Sequence, residues 1–157
     1  MKVVVVGGSA SNVGKTTLAE RLVAEHAARE RTVAVKVSVR ERACDARVLV
    51  LRPGDAADHR RDSQRLLDAG ASHVVWVTVG RPAVRSGLAA GLAAGRALRP
   101  ATLVVESTSA GIELRRIDDS WFVAGDGDWK PWADLHRRRA DHVVRSGDVL
   151  AHEAIAS

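Results

Sequence analysis

The sequence predicts an α/β fold with a doubly wound, mainly parallel sheet and helices on both faces. Three observations point there. Short β-branched apolar runs alternate with helix-length segments along the 157 residues. The first run, Val3 to Val6, shows no polar alternation, which suits a strand buried on both faces of a parallel sheet. That run passes through a turn of small residues into a helix, with Gly14-Lys15-Thr16 at the junction.

The junction has the layout of a phosphate-binding loop. Backbone N–H groups of such a turn wrap an anion, and the following helix points its positive end at the same place. Candidate nucleotide-binding residues are Ser11, Asn12, Val13, Gly14, Lys15, Thr16 and Thr17. Lys15 is placed to reach β- and γ-phosphates, and the Thr16 hydroxyl to hold Mg²⁺. The strict G-x-x-x-x-G-K-[ST] pattern fails at one position, because Ser9 stands where the first glycine belongs and Gly8 comes one residue early.

The remaining elements follow in order. Thr16 to about Glu30 reads as a helix with Leu18, Leu22, Val23 and His26 near one face. Thr32 to Val39 is a second strand, Arg40 to Asp45 is irregular, and Arg47 to Leu51 is a short strand closed by Pro53-Gly54. Asp55 to Ala69 is a helix capped by Gly70. His73 to Val79 is a strand, Pro82 opens a helix to about Leu98, and Thr102 to Glu106 is a buried strand. Ser120 to Ala124 is a strand, Pro131 to Ala140 a helix, His142 to Arg145 a short strand, and the last ten residues a weak helix. Glycines at 87, 91 and 95 put a flat stripe on one helix, for close packing against the sheet or a second subunit.

A phosphate-loop site needs a second acid at the end of a neighbouring strand. Leu103-Val104-Val105-Glu106 offers it, making Glu106 a candidate metal and catalytic residue beside Lys15 and Thr16. Lys36 inside Val-Ala-Val-Lys-Val either faces an anionic ligand or lies on an edge. Asp62 either approaches Mg²⁺ or substrate, or is solvated. No guanine-reading N-K-x-D motif occurs; Asp126 and Asp128 are the nearest acids for a base edge, within a plain turn composition.

Composition fits one phosphate-loop nucleotide-binding domain over 1–157. No apolar run approaches the ~20 residues of a membrane span, and the start does not read as a signal peptide, so a cytoplasmic chain is expected. Lone Cys44 cannot form an intrachain disulfide, and His59 and His73 have no metal-site spacing. Net charge is +5, yet the aromatics are few and Arg137-Arg138-Arg139 reads as a solvated helix face, so nucleic acid is not the expected partner.

Gly8 to Thr16 resembles the loop of dethiobiotin synthetase; Ala10 stands where MinD-type ATPases carry an extra lysine. Four stretches together resemble the molybdopterin-guanine dinucleotide biosynthesis adaptor family, MobB: Ser11 to Leu18, Val35-Lys36, Arg61 to Ala71, and Leu103 to Glu106. The chain differs from that family at Ser38-Val39-Arg40, at Ser107 after the strand-end acid, and by an insertion-like stretch, Ala56 to Arg61. The resemblance implies a homodimeric, GTP-binding, Mg²⁺-dependent, weak GTPase that assists a nucleotidyltransferase in molybdenum cofactor synthesis, with Lys36 and Asp62 flanking the site. The competing readings are an ATP-dependent small-molecule ligase or kinase, with ATP as the nucleotide, and an interaction module with a vestigial loop.

Overall fold

A computed structural model of the chain describes residues 1–42, 44–55 and 61–156. The expected insertion-like stretch lies outside the described residues except for the main chain of Arg61, and so do His59 and the start of the helix expected from Asp55.

Seven strands form one sheet in the order β3-β4-β2-β5-β1-β6-β7. They are β1 (Lys2–Gly8), β2 (Thr32–Arg40), β3 (Arg47–Leu51), β4 (His73–Gly80), β5 (Thr102–Glu106), β6 (Asp119–Ala124) and β7 (His142–Arg145). The helices are α1 (Lys15–Ala27), α2 (Arg61–Asp68), α3 (Val84–Ala97), α4 (Ala110–Glu113), α5 (Ala133–Arg139) and α6 (Ser146–Ala156). All pairings are parallel except β3 with β4.

The β1 run fills both faces at once. Val4 and Val6 pack with Leu18, Leu22 and Val23 of α1, Leu66 of α2 and Val149 of α6. Val3 and Val5 pack on the opposite face with Leu88 and Leu92 of α3 and Ala110 of α4. Alternating residues of a strand point to opposite faces, so one unbroken valine run feeds two cores.

The sheet is mainly parallel, as expected. β3 runs antiparallel because residues 41–46, which join it to β2, are too short to carry the chain back to the starting end of β2. Two helix starts are corrected. The helix expected from Pro82 begins with a 3₁₀ turn at Arg81–Ala83, and the one expected from Pro131 starts at Ala133 after Trp132. Short α4 after β5 was not foreseen; its single turn carries no amphipathic period.

The glycine stripe of α3 lies on the sheet. A Cβ at Gly87 would meet Val79, one at Gly91 would overlap Val77, and one at Gly95 would press on Leu103. Among the described residues no helix is long and apolar enough to cross a membrane.

Candidate phosphate-binding site

The loop between β1 and α1 turns on two left-handed residues, Asn12 at φ 59° and Gly14 at φ 97°. Gly14 is the residue before the helix, where a positive φ aims the following N–H groups inward. The shifted glycine has a steric reason. A Cβ on Gly8 would stand 2.9 Å from the stems of both Lys15 and Val13, so position 8 is where the backbone must be bare. Ser9 instead ties the loop down: its Oγ accepts from Gly125 N at 2.8 Å and its carbonyl from Lys130 N at 2.7 Å. Val13 turns its side chain into the core, so only its main chain faces the site.

Register then assembles the rest. Lys36 on β2 and Val6 on β1 are both level with Glu106 on β5, at the end of the parallel strands beside the loop. Lys36 and Glu106 are 9% and 7% exposed, and burial of a charge requires a partner. The Lys36 ammonium lies 2.8 Å from Glu106 Oε2, 2.9 Å from Asp62 Oδ2 and 3.2 Å from Thr16 Oγ1. Thr16 Oγ1 in turn donates toward Glu106, 3.0 Å from Oε1 and 3.1 Å from Oε2. Four residues singled out in distant parts of the sequence therefore meet at one point. Of the two readings of Lys36, the edge position is excluded: it lies on a central strand.

Lys15 folds back over the loop and donates to the Ala10 carbonyl. Burial, followed by the nearby Lys130 charge, lowers its pKa to about 8, against a weaker upward pull from Glu106. Thr17 Oγ1 accepts from Arg65 at 3.2 Å, and Arg65 is held in a two-pronged pair with Glu20 at 2.6 and 2.8 Å. Ser107 and Thr108 serve the backbone: Ser107 Oγ accepts from Ala110 N, and Thr108 Oγ1 donates to the Gly8 carbonyl at 3.0 Å.

These groups open into a cavity of about 620 Å³. Its loop edge is Ser11, Asn12 and Gly14 to Thr17; one end reaches Glu41 and Arg81, and the other reaches Lys130, Trp132 and Leu150. Asp126 and Asp128 do not line it and are exposed, which corrects their expected place at a base edge. The sequence reading missed Lys130 and Arg81, and it left Trp132, near the presumed base side, without a role. The approach of all three to the site depends on strand order, not on local pattern.

The donor set suits a hard cation. Thr16 Oγ1, Glu106 and Asp62 supply oxygen only, and together they already surround one positive charge, that of Lys36. No cluster of three or more His, Cys, Asp or Glu gathers among the described residues, so a bound Mg²⁺ would use few protein ligands and rely on phosphate and water for the rest.

Neither a protein-family model nor a curated protein sequence matches the chain. Among solved structures, LpxK from Aquifex aeolicus, described as the "apo" form in complex with ATP, is similar with a TM-score of 0.57 at 19% identity. The likeness covers 92% of this chain and 48% of that one, so this chain spans about half the length of LpxK. The two share a fold, which in this chain is a mainly parallel seven-stranded sheet with helices on both faces. At that identity the likeness concerns the fold; the geometry above is this chain's own.

Proposed function

We propose that this chain is a phosphate-loop nucleotide-binding domain that takes a nucleoside triphosphate with Mg²⁺ and hydrolyses it slowly. The observation that carries the reading is the meeting of Thr16, Asp62 and Glu106 within 3.2 Å of the Lys36 ammonium, beside the loop. The ATP in the LpxK structure supports the same ligand class.

The roles follow from charge. Loop N–H groups and Lys15 hold the β- and γ-phosphates, and Lys36 adds a second cation on the terminal side. Thr16 and Glu106, with Asp62 beside them, would hold Mg²⁺, which neutralises charge that builds on the phosphate oxygens. Arg65 lines the cavity but is engaged by Glu20, so it supplies no ready transition-state cation, and turnover without a partner is slow.

The four stretches that resemble MobB support a finer reading: a GTP-preferring, homodimeric adaptor for a nucleotidyltransferase in molybdenum cofactor synthesis. A second reading is an ATP-dependent ligase or kinase. The cavity's extension past Lys36 to Glu41 and Arg81 favours it, since an acceptor would lie beyond the terminal phosphate. Phosphate release from GTP and ATP, with Mg²⁺ and with EDTA, tests the common core. Slow Mg²⁺-dependent release that Glu106→Gln removes supports it. Release unaffected by EDTA or by Glu106→Gln refutes it.

A further inference from the structure

The strand order splits the cavity into two unlike ends. From the phosphate loop on β1, the polar cluster of Lys36 and Glu106 lies toward β5 and β2. On the other side, toward β6 and β7, the cavity is bounded by Lys130, Pro131, Trp132 and Leu150. A triphosphate whose terminal phosphate meets the polar cluster sends its sugar and base toward that second end.

Trp132 has the features of a platform there. It is 65% exposed, although indole is among the largest apolar surfaces a chain can bury. Its backbone is left-handed, at φ 59° and ψ 1°, which costs a bulky residue of the order of 1–2 kcal/mol and points to a function where it persists. The surrounding structure holds it in that state. Lys130 N donates to the Ser9 carbonyl at 2.7 Å, fixing this segment to the phosphate loop, and Ala133 N donates to the Lys130 carbonyl at 3.1 Å. Neighbouring Trp129 has a different role, packing on Phe122 at 5.5 Å and donating to the Gly125 carbonyl. Across the loop, Val149 and Leu150 of α6 abut Gly14, where a Cβ would stand 3.2 Å from Val149 and 3.5 Å from Leu150. Trp132 and Leu150 thus border one end of the same cavity from two different elements.

We propose that Trp132 is the stacking surface for the nucleotide's base, a subsite that favours purines by ring area. It rests on the nucleotide-binding reading above. A π-face accepts any base and favours the larger ones, and the acids near this end, Asp126 and Asp128, do not line the cavity.

The test compares three probes by calorimetry: ATP, GTP and inorganic tripolyphosphate, which has phosphates but no base. Trp132→Ala is expected to weaken ATP and GTP about tenfold, within the range for one base–aromatic stack, and to leave tripolyphosphate unchanged. Trp132→Phe is expected to restore most of the loss. Equal loss for tripolyphosphate would assign Trp132 to loop shape or to a subunit contact and overturn the proposal. So would unchanged nucleotide affinity in Trp132→Ala. If the wild type binds tripolyphosphate as tightly as the nucleotides, the base subsite fails while the phosphate site stands; if it binds none of the three, both fail.

Discussion

Lys36 Nζ lies 2.8 Å from Glu106 Oε2, across positions of β2 and β5 that are in direct register. Both side chains are buried; Lys36 is the counter-charge of Glu106 and is itself shared with Asp62. Removing Lys36 leaves Glu106 without its cation in a low-dielectric setting, which costs about 3–5 kcal/mol. Lys36→Met is therefore expected to destabilise the ligand-free chain by about 3 kcal/mol in urea, and Lys36→Met/Glu106→Gln to recover a large part of that. Additive losses in the double variant would show that the pair is not coupled.

The Lys15 ammonium sets a pH dependence. Its pKa is lowered to about 8 in the ligand-free site, chiefly by burial. A polyanion beside it favours the charged form and raises that pKa, so above pH 8 binding must take up a proton. Triphosphate affinity is expected to hold level from pH 6.5 to about 7.5, below this lysine's pKa, and to fall as pH rises beyond 8, by up to tenfold per unit. Titrations in buffers of different ionisation enthalpy would show the proton uptake at pH 8.5. Affinity flat to pH 9.5 would refute the coupling. The ligand-free chain is expected to show the opposite trend from this group: the unfolded state binds more protons between about 8 and 10.5, so this contribution to stability rises across that window.

Gly91 separates two uses of the α3 stripe. Alanine is the better helix former by about 1 kcal/mol. Its Cβ would overlap Val77 on the sheet. Gly91→Ala is expected to lower stability by about 1–3 kcal/mol, as overpacking does. A stabilised variant would mean that the stripe faces open space or another subunit instead.

His136 is fully buried, with its ring pressed where a Cβ on Gly7 or Gly111 would overlap it and Nε2 3.1 Å from Ser120 Oγ. Burial lowers its pKa to about 4. The unfolded chain binds more protons than the folded one between pH 4 and about 6.5, so stability falls as pH drops through that range. His136→Gln is expected to flatten the fall measured by urea unfolding at pH 7 and pH 4.5, even if it is less stable at pH 7. An unchanged difference between the two pH values would assign the acid sensitivity elsewhere.

Much of the site was legible because it lies at the ends of strands. The apolar run that ends in Glu106 places a charge where a parallel sheet opens toward its ligand, Lys36 interrupts the run of β2 level with it, and α2 presents Asp62 beside them. The direction of β3 was also written in the chain, in the shortness of residues 41–46, but the β-branched run itself reads the same in either direction. The role of Trp132 was not legible. Its importance comes from a left-handed backbone and from the strand order that brings β6's following loop against Ser9, neither of which leaves a local pattern. Ser9 misled in the other direction: it breaks the strict loop pattern, yet its side chain holds the loop to Gly125.

The central claim is that the β1–α1 loop binds a nucleoside triphosphate through Lys15, and calorimetric titration of wild type and Lys15→Ala with GTP and ATP analogues, with Mg²⁺ and with EDTA, tests it most directly. The account predicts Mg²⁺-strengthened binding by the wild type and a loss of at least about thirtyfold in Lys15→Ala, the scale for removing one partner of a desolvated charge pair. A GTP preference would favour the MobB-like adaptor and an ATP preference the ligase or kinase. Binding of equal strength by Lys15→Ala would contradict the assignment of the loop itself.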